Sequence, residues 1–215
     1  NANGQAAGMN GTITLGAAPA IGDCSTASTA WGNGATGKYN SSLDFDGTDD
    51  VATITNADAI DLDVGLQNGF TISAWIKAGT AGESNVGQVF NKSASHYLRV
   101  DTPSGSNLDV EANFDLATTD ANVNASAAIT TGTWNHLVMT SNGSTTVTLY
   151  VNGVSKGSST GSGARTADGN LLISGATTAN FDGQIDQFQV YPYEMTATQI
   201  QRLYNEGSAV RFGPL

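Results

Sequence analysis

Asn180-Phe181-Asp182-Gly183-Gln184-Ile185-Asp186-Gln187-Phe188-Gln189-Val190-Tyr191 is the stretch on which the fold turns. Phe181, Ile185, Phe188, Val190 and Tyr191 give it strand propensity. Asp186 stands in its middle, and a carboxylate within a strand-forming run needs a partner, because an unpaired buried charge is very costly. Directly after it, Pro192-Tyr193-Glu194 leads to Thr196, which with Gln199 has the spacing of a capping box. Ile200, Leu203 and Tyr204 make a short apolar stripe on the helix so started, and Gly207 fits its C-terminal cap.

Working back from this end, strand patterns dominate. Phe70-Thr71-Ile72-Ser73-Ala74-Trp75-Ile76-Lys77 alternates cleanly: Phe70, Ile72, Ala74 and Ile76 share one face, while Thr71, Ser73 and Trp75 share the other. Ser42–Asp46 and Val51–Ile54 flank a turn at Gly47–Asp50. Val86–Asn91 and His96–Asp101 form a hairpin, with Tyr97, Arg99 and Asp101 opposite His96, Leu98 and Val100. Leu108–Phe114 is a further strand, whereas residues 115–131 are poor in large apolar side chains and suggest a loop or irregular edge. Gly132–Thr140 and Thr145–Val151 pair across the Asn142-Gly143-Ser144 turn. Asn152-Gly153 then predicts a type I′ hairpin returning through Val154–Ser158. Leu171–Ser174 and a weak strand at Thr12–Leu15 complete the set.

Many short strands and one terminal helix predict an all-β fold: an antiparallel two-sheet jelly-roll sandwich with a short C-terminal helix. Residues 1–215 form one domain, with 1–40 an N-terminal strand and long loop carrying Cys24 and Trp31, and 207–215 a tail. The expected inter-sheet core is Phe70, Ile72, Ala74, Ile76, Val138, Val147, Leu149 and Val151.

Composition narrows the function. Net charge is −11, which repels phosphate and disfavours nucleic acid as a partner. Membrane insertion is not expected, since no apolar run approaches the roughly 20 residues a spanning helix needs. A single cysteine cannot form an intrachain disulfide. Few lysines with much Thr, Ser, Asn and Gly point to a secreted or cell-surface microbial protein. A chain starting at Asn1 without Met reads as a processed or trimmed fragment of a larger surface protein.

The order of motifs carries a resemblance. Leu43-Asp44-Phe45-Asp46-Gly47 with Asp50, then Phe70–Trp75, then Gly132-Thr133-Trp134-Asn135-His136-Leu137-Val138, then Leu149-Tyr150-Val151-Asn152-Gly153, then Phe181–Tyr191 with its helix, form one succession. It resembles the laminin-G-like domains of the concanavalin A-like lectin/glucanase superfamily over about residues 40–206. The resemblance implies two stacked antiparallel sheets, one concave, often holding calcium. It does not fix function, because lectins, adhesion domains and hydrolases share the fold.

No catalytic residues are assigned. Retaining glycoside hydrolysis needs two carboxylates about 5–5.5 Å apart. The nearest echo of the laminarinase-like acidic strand is Gln184-Ile185-Asp186-Gln187-Phe188-Gln189, with carboxamides at both outer positions. His136 reads as a hydrogen-bonded core residue. The EF-hand pattern fails for Asp44-Phe45-Asp46-Gly47, since the sixth and twelfth positions are Asp49 and Thr55 where Gly and Glu are needed.

Two expectations remain. Trp75, Tyr97, Arg99 and Tyr150 point away from the expected core and form a candidate ligand set, since aromatic faces beside polar groups suit sugar rings. The partner would be a glycan or cell-surface polysaccharide bound by a non-catalytic extracellular module. The alternatives are a structural domain of an appendage or adhesin, and a hydrolase or lyase of unrecognised mechanism. The second expectation is a structural Ca²⁺ held by Asp46, Gly47, Asp50 and Asp186, as the resemblance implies.

Overall fold

In the computed structural model, residues 12–14, 37–39, 41–54, 69–92, 96–104, 107–164, 169–175 and 178–205 are described. The expectations for Cys24, Trp31, Gly207 and the 207–215 tail lie outside them. The strands are β1 (Thr12–Thr14), β2 (Leu43–Asp46), β3 (Val51–Ile54), β4 (Phe70–Ala78), β5 (Val86–Lys92), β6 (His96–Ser104), β7 (Asn107–Phe114), β8 (Ala121–Thr130), β9 (Asn135–Ser141), β10 (Thr146–Val151), β11 (Val154–Thr160), β12 (Leu171–Ile173) and β13 (Asp182–Tyr191). One helix, α1 (Ala197–Tyr204), follows.

They build a jelly-roll sandwich of a seven-stranded sheet, β1-β3-β12-β5-β6-β7-β8, and a six-stranded sheet, β11-β10-β9-β4-β13-β2. All pairings between these strands are antiparallel. The fold expected from the sequence is therefore the fold observed.

The core lies where the period-two patterns face each other. Phe70, Ile72, Ala74 and Ile76 of β4 are wholly buried, as are Phe90, Leu98, Val100, Val110 and Phe114 of the opposite sheet. Phe70 and Phe114 bridge the sheets with ring centroids 5.6 Å apart. Leu137 and Met139 of β9 also point inward, so Val138 between them points out. This corrects the expected core: Val138 belongs to a second apolar cluster with Tyr150, Met195 and Ile200, roofed by α1.

Two local features follow from residue chemistry. Asn152 and Gly153 both adopt positive φ, 51° and 76°, as a type I′ turn requires. The Thr196 side chain accepts from the Gln199 amide, and the Gln199 side chain accepts from the Thr196 amide, so the capping box is closed at both ends.

One segment reads differently in the structure. The stretch expected to be a loop or irregular edge contains β8, a ten-residue strand at the edge of the seven-stranded sheet whose register against β7 shifts between Leu108 and Val110. Ala121, Val123, Ala125 and Ile129 face the core while Asn122 and Asn124 face out. Alanines supply half of that buried face, and their low strand propensity hides the alternation.

Candidate ligand-binding sites

The outer face of the six-stranded sheet is built by the residues that alternate with the core. In register, Trp75 of β4 lies beside His136 of β9 and Asp186 of β13, and Ser73 lies beside Val138. The register of β13 against β4 shifts between Asp186 and Gln189. Gln187 sits in that bulge with φ 50°, a conformation an L-residue adopts only under local constraint.

The constraint is Asp186. Its Oδ1 accepts from the Gln187 amide at 2.6 Å and its Oδ2 from the Tyr39 amide at 2.8 Å. Thus the carboxylate in the strand-forming run finds its partners in backbone N–H groups. It pins a distant segment so that Tyr39 meets Trp75 edge to face, with centroids 6.2 Å apart.

Trp75 is 6% exposed. Tyr204 of α1 stacks on it, and His136 lies 5.1 Å from it centroid to centroid. The Lys38 ammonium sits 4.2 Å from the Trp75 ring centroid, within cation–π range. Beside these rings is a cavity of about 350 Å³ lined by Tyr39, Ser73, Trp75, His136, Gln187, Gln189 and Leu203. That volume is at the small end of ligand pockets, which run from about 300 to 1,000 Å³. Two aromatic walls, two carboxamides and a hydroxyl offer both an apolar surface and hydrogen bonds.

His136 Nε2 and Ser73 Oγ are 2.8 Å apart, while His136 Nδ1 is buried with no hydrogen-bond partner. Burial pushes the imidazole down to about 4, so it is neutral at pH 7. A nucleophile–base pair needs a third group orienting the base. None among the described residues holds Nδ1 here. His136 is a hydrogen-bonded buried residue as expected, although it lies under α1 and not between the sheets.

The candidate ligand set divides between the two outer faces. Trp75 and Tyr150 are on the six-stranded sheet, and Tyr150 is buried against Val138, Met195 and Ile200. Tyr97 and Arg99 are on β6 of the seven-stranded sheet, so no single small ligand touches all four. There the Tyr97 hydroxyl donates to Glu111 Oε1 at 3.0 Å, and Arg99 Nη2 pairs with Glu111 Oε2 at 2.5 Å and with Asp101 at 2.8 Å. Asn122 donates to Glu111 Oε1 as well as to Asn113 Oδ1. Burial, and then the Glu111 charge, pushes the Tyr97 hydroxyl up to about 12. These groups largely pair with one another, although Arg99 Nε is buried without a hydrogen-bond partner.

Tyr39, Ser73, Gln187 and Gln189 were not in the sequence-derived set. Ser73 shares the alternation of Trp75 and was legible in principle. Gln187 and Gln189 reach the cavity through a bulge that periodicity does not reveal, and Tyr39 belongs to a segment with no period at all.

The early turn holds the acidic groups. Asp46, Asp49 and Asp50 place carboxylate oxygens within 4.8 Å of one another. Gly47 has φ 78°, and a Cβ there would come within 2.9 Å of Asp182 Cβ, so glycine is required. Burial and the Asp182 and Asp50 charges raise the Asp44 carboxyl above its usual range. The residue paired with Asp46 is Asp182. Asp186 is four residues further along β13, about 13 Å at strand rise, and is engaged by Tyr39 and Gln187. The structure thus brings Asp46, Gly47 and Asp50 together with Asp49 and sets Asp186 apart. Clustered carboxylates are hard oxygen donors of the kind Ca²⁺ takes.

The two-sheet antiparallel jelly roll is the fold of concanavalin A-like domains. The chain belongs to the Laminin_G_3 family, described as the concanavalin A-like lectin/glucanases superfamily, whose profile matches residues 46–201. No curated protein matches the sequence. Among solved structures, it is similar to a heptameric SAP-like pentraxin from Limulus polyphemus, at 19% identity and TM-score 0.52, covering 64% of this chain and 70% of that one. It is also similar to domain 4 of AbnA, a GH43 extracellular arabinanase from Geobacillus stearothermophilus, in complex with arabinotriose. There the identity is 21% and the TM-score 0.56, covering 90% of this chain and 87% of that one. The botulinum neurotoxin serotype G binding domain matches at 13% identity and TM-score 0.61, with 94% of this chain covered. This chain spans only 47% of that binding domain. At such identities the likeness establishes the fold alone.

Proposed function

We propose that this domain is a non-catalytic, extracellular glycan-recognition module whose binding site is the cavity between the outer face of the six-stranded sheet and α1. The observation that carries this reading is the lining itself. The half-buried Tyr39, beside the nearly buried Trp75, offers a ring against which the C–H face of a sugar packs. The Gln187 and Gln189 carboxamides and the Ser73 hydroxyl can pair with its hydroxyls. The arabinotriose complex of the similar AbnA domain supports the ligand class.

In this reading Ca²⁺ is structural and sits at the Asp46–Asp50 turn. Its ligands would be the Asp46, Asp49 and Asp50 carboxylates, and the ion would supply charge neutralisation there and no chemistry at the cavity.

The test is a glycan array probed with the intact domain and with Gln187→Ala and Gln189→Ala. Retention of a defined glycan by the wild type, weakened at least about tenfold in each variant, supports the cavity as the site. Retention undiminished in both variants moves the site elsewhere. Absence of any retention favours a structural spacer of a surface protein.

A further inference from the structure

We infer that the cavity selects a sugar bearing a carboxylate, a uronic-acid-type residue, through the ammonium of Lys38. This rests on the cavity being the glycan site.

Lys38 Nζ is 4.2 Å from the Trp75 ring centroid and 5.8 Å from that of Tyr39, and both rings line the cavity. Lys38 itself does not line the cavity, but its ammonium lies against two of the rings that do. Among the described residues no carboxylate lies within ion-pair distance of it. Asp186, which lies opposite Trp75 in the strand register, has both oxygens engaged by the Tyr39 and Gln187 amides. A chain with 19 acidic and 8 basic residues has many ways to neutralise a lysine, yet this one rests on aromatic faces instead. Cation–π contact holds the side chain in place while leaving its N–H donors for a ligand oxygen.

The lining groups fit a sugar acid. Neutral His136 neither adds a positive charge nor repels a hydroxyl. Gln187 and Gln189 supply donors and acceptors for ring hydroxyls. The net charge of −11 opposes a long polyanion but not a single carboxylate at this spot. Charges further away than about 8 Å are largely screened at physiological ionic strength.

The experiment is calorimetric titration of matched methyl glycosides, glucuronoside against glucoside, galacturonoside against galactoside and mannuronoside against mannoside. One uronoside should bind at least about tenfold tighter than its neutral parent, as expected for a charge-assisted hydrogen bond. Lys38→Met keeps the stem on Trp75 and should abolish the preference with unchanged melting, whereas Lys38→Arg should retain it. A neutral glycoside that binds as well as its uronoside overturns the charge selection and leaves the cavity standing. Binding of no uronoside overturns this inference, while an array-positive neutral glycan sensitive to Gln189→Ala would still uphold the site. A preference that survives Lys38→Met also overturns it.

Discussion

Tyr204, the last residue of α1, stacks on Trp75 of the central strand with ring centroids 5.6 Å apart and planes 23° from parallel. The helix is only eight residues long and would not hold by itself in water. Its position depends on this ring pair together with Ile200 in the cluster of Val138, Tyr150 and Met195.

Tyr204→Ala should therefore loosen the helix and wet Trp75. Stacked aromatic pairs contribute about 0.5–1.5 kcal/mol beyond the area they bury. A total loss of about 1–3 kcal/mol is expected by chemical denaturation, with a red shift in the emission of Trp75 in a Trp31→Phe, Trp134→Phe background. Tyr204→Phe should leave both readouts near wild type. An unshifted emission in Tyr204→Ala would show that the helix does not need the stack.

His136 makes stability depend on pH. Its folded pKa is depressed to about 4 by burial, against about 6.5 when unfolded. Between those values the unfolded chain binds the proton and the folded one does not, so stability rises with pH across the window. Its contribution is complete above about pH 6.5 and lost progressively toward pH 4. His136→Gln, which keeps a hydrogen-bonding group beside Ser73, should flatten the denaturation free energy over pH 4–6.5. The raised Asp44 carboxyl acts in the opposite direction, so it opposes this slope and cannot mimic it. An unchanged slope in His136→Gln would remove His136 as the cause.

Much of the fold was legible because strands with one buried face write their period into the sequence. Phe70-x-Ile72-x-Ala74-x-Ile76 and the Asn152-Gly153 turn are of this kind, and both stand where periodicity and turn chemistry put them. β8 was not legible, because Ala121 and Ala125 fill its inner face and carry almost no strand signal. Val138 was assigned to the wrong side because β9 is buried on both faces, and polar residues fall on both of them. The ligand set failed to converge for a related reason: alternation tells which residues point away from the core, but not which of two sheets they leave from. Trp75 was found, whereas Gln187 depends on a bulge and Tyr39 on a hydrogen bond to a residue 147 positions away.

Asp186 should matter for local geometry and not for metal. Asp186→Asn keeps one carbonyl oxygen but replaces the other acceptor by a donor facing an amide. Leaving such a buried pair unmatched costs about 1–3 kcal/mol. The variant should be less stable by that amount and should release Tyr39 from Trp75, weakening glycan binding at the cavity. Because Asp186 stands about 13 Å along the strand from the position opposite Asp46, the loss should be the same in EDTA and in Ca²⁺. A loss seen only in Ca²⁺ would return Asp186 to the metal site.

The calcium reading has its own test at the early turn. Three carboxylates within 4.8 Å repel one another, and a divalent cation that binds only the folded state converts this repulsion into stabilisation. At a free Ca²⁺ concentration about 100 times the dissociation constant the gain is about 2.7 kcal/mol. For a domain of this size that corresponds to roughly 5–10 °C in melting temperature. Wild type should therefore melt several degrees higher in millimolar Ca²⁺ than in EDTA. Asp49→Asn and Asp50→Asn should lose most of that gain. Mg²⁺ should substitute poorly, since it demands near-ideal octahedral geometry and gives up water reluctantly. Superimposable melting curves for the wild type in Ca²⁺ and EDTA would exclude a stabilising ion at this turn.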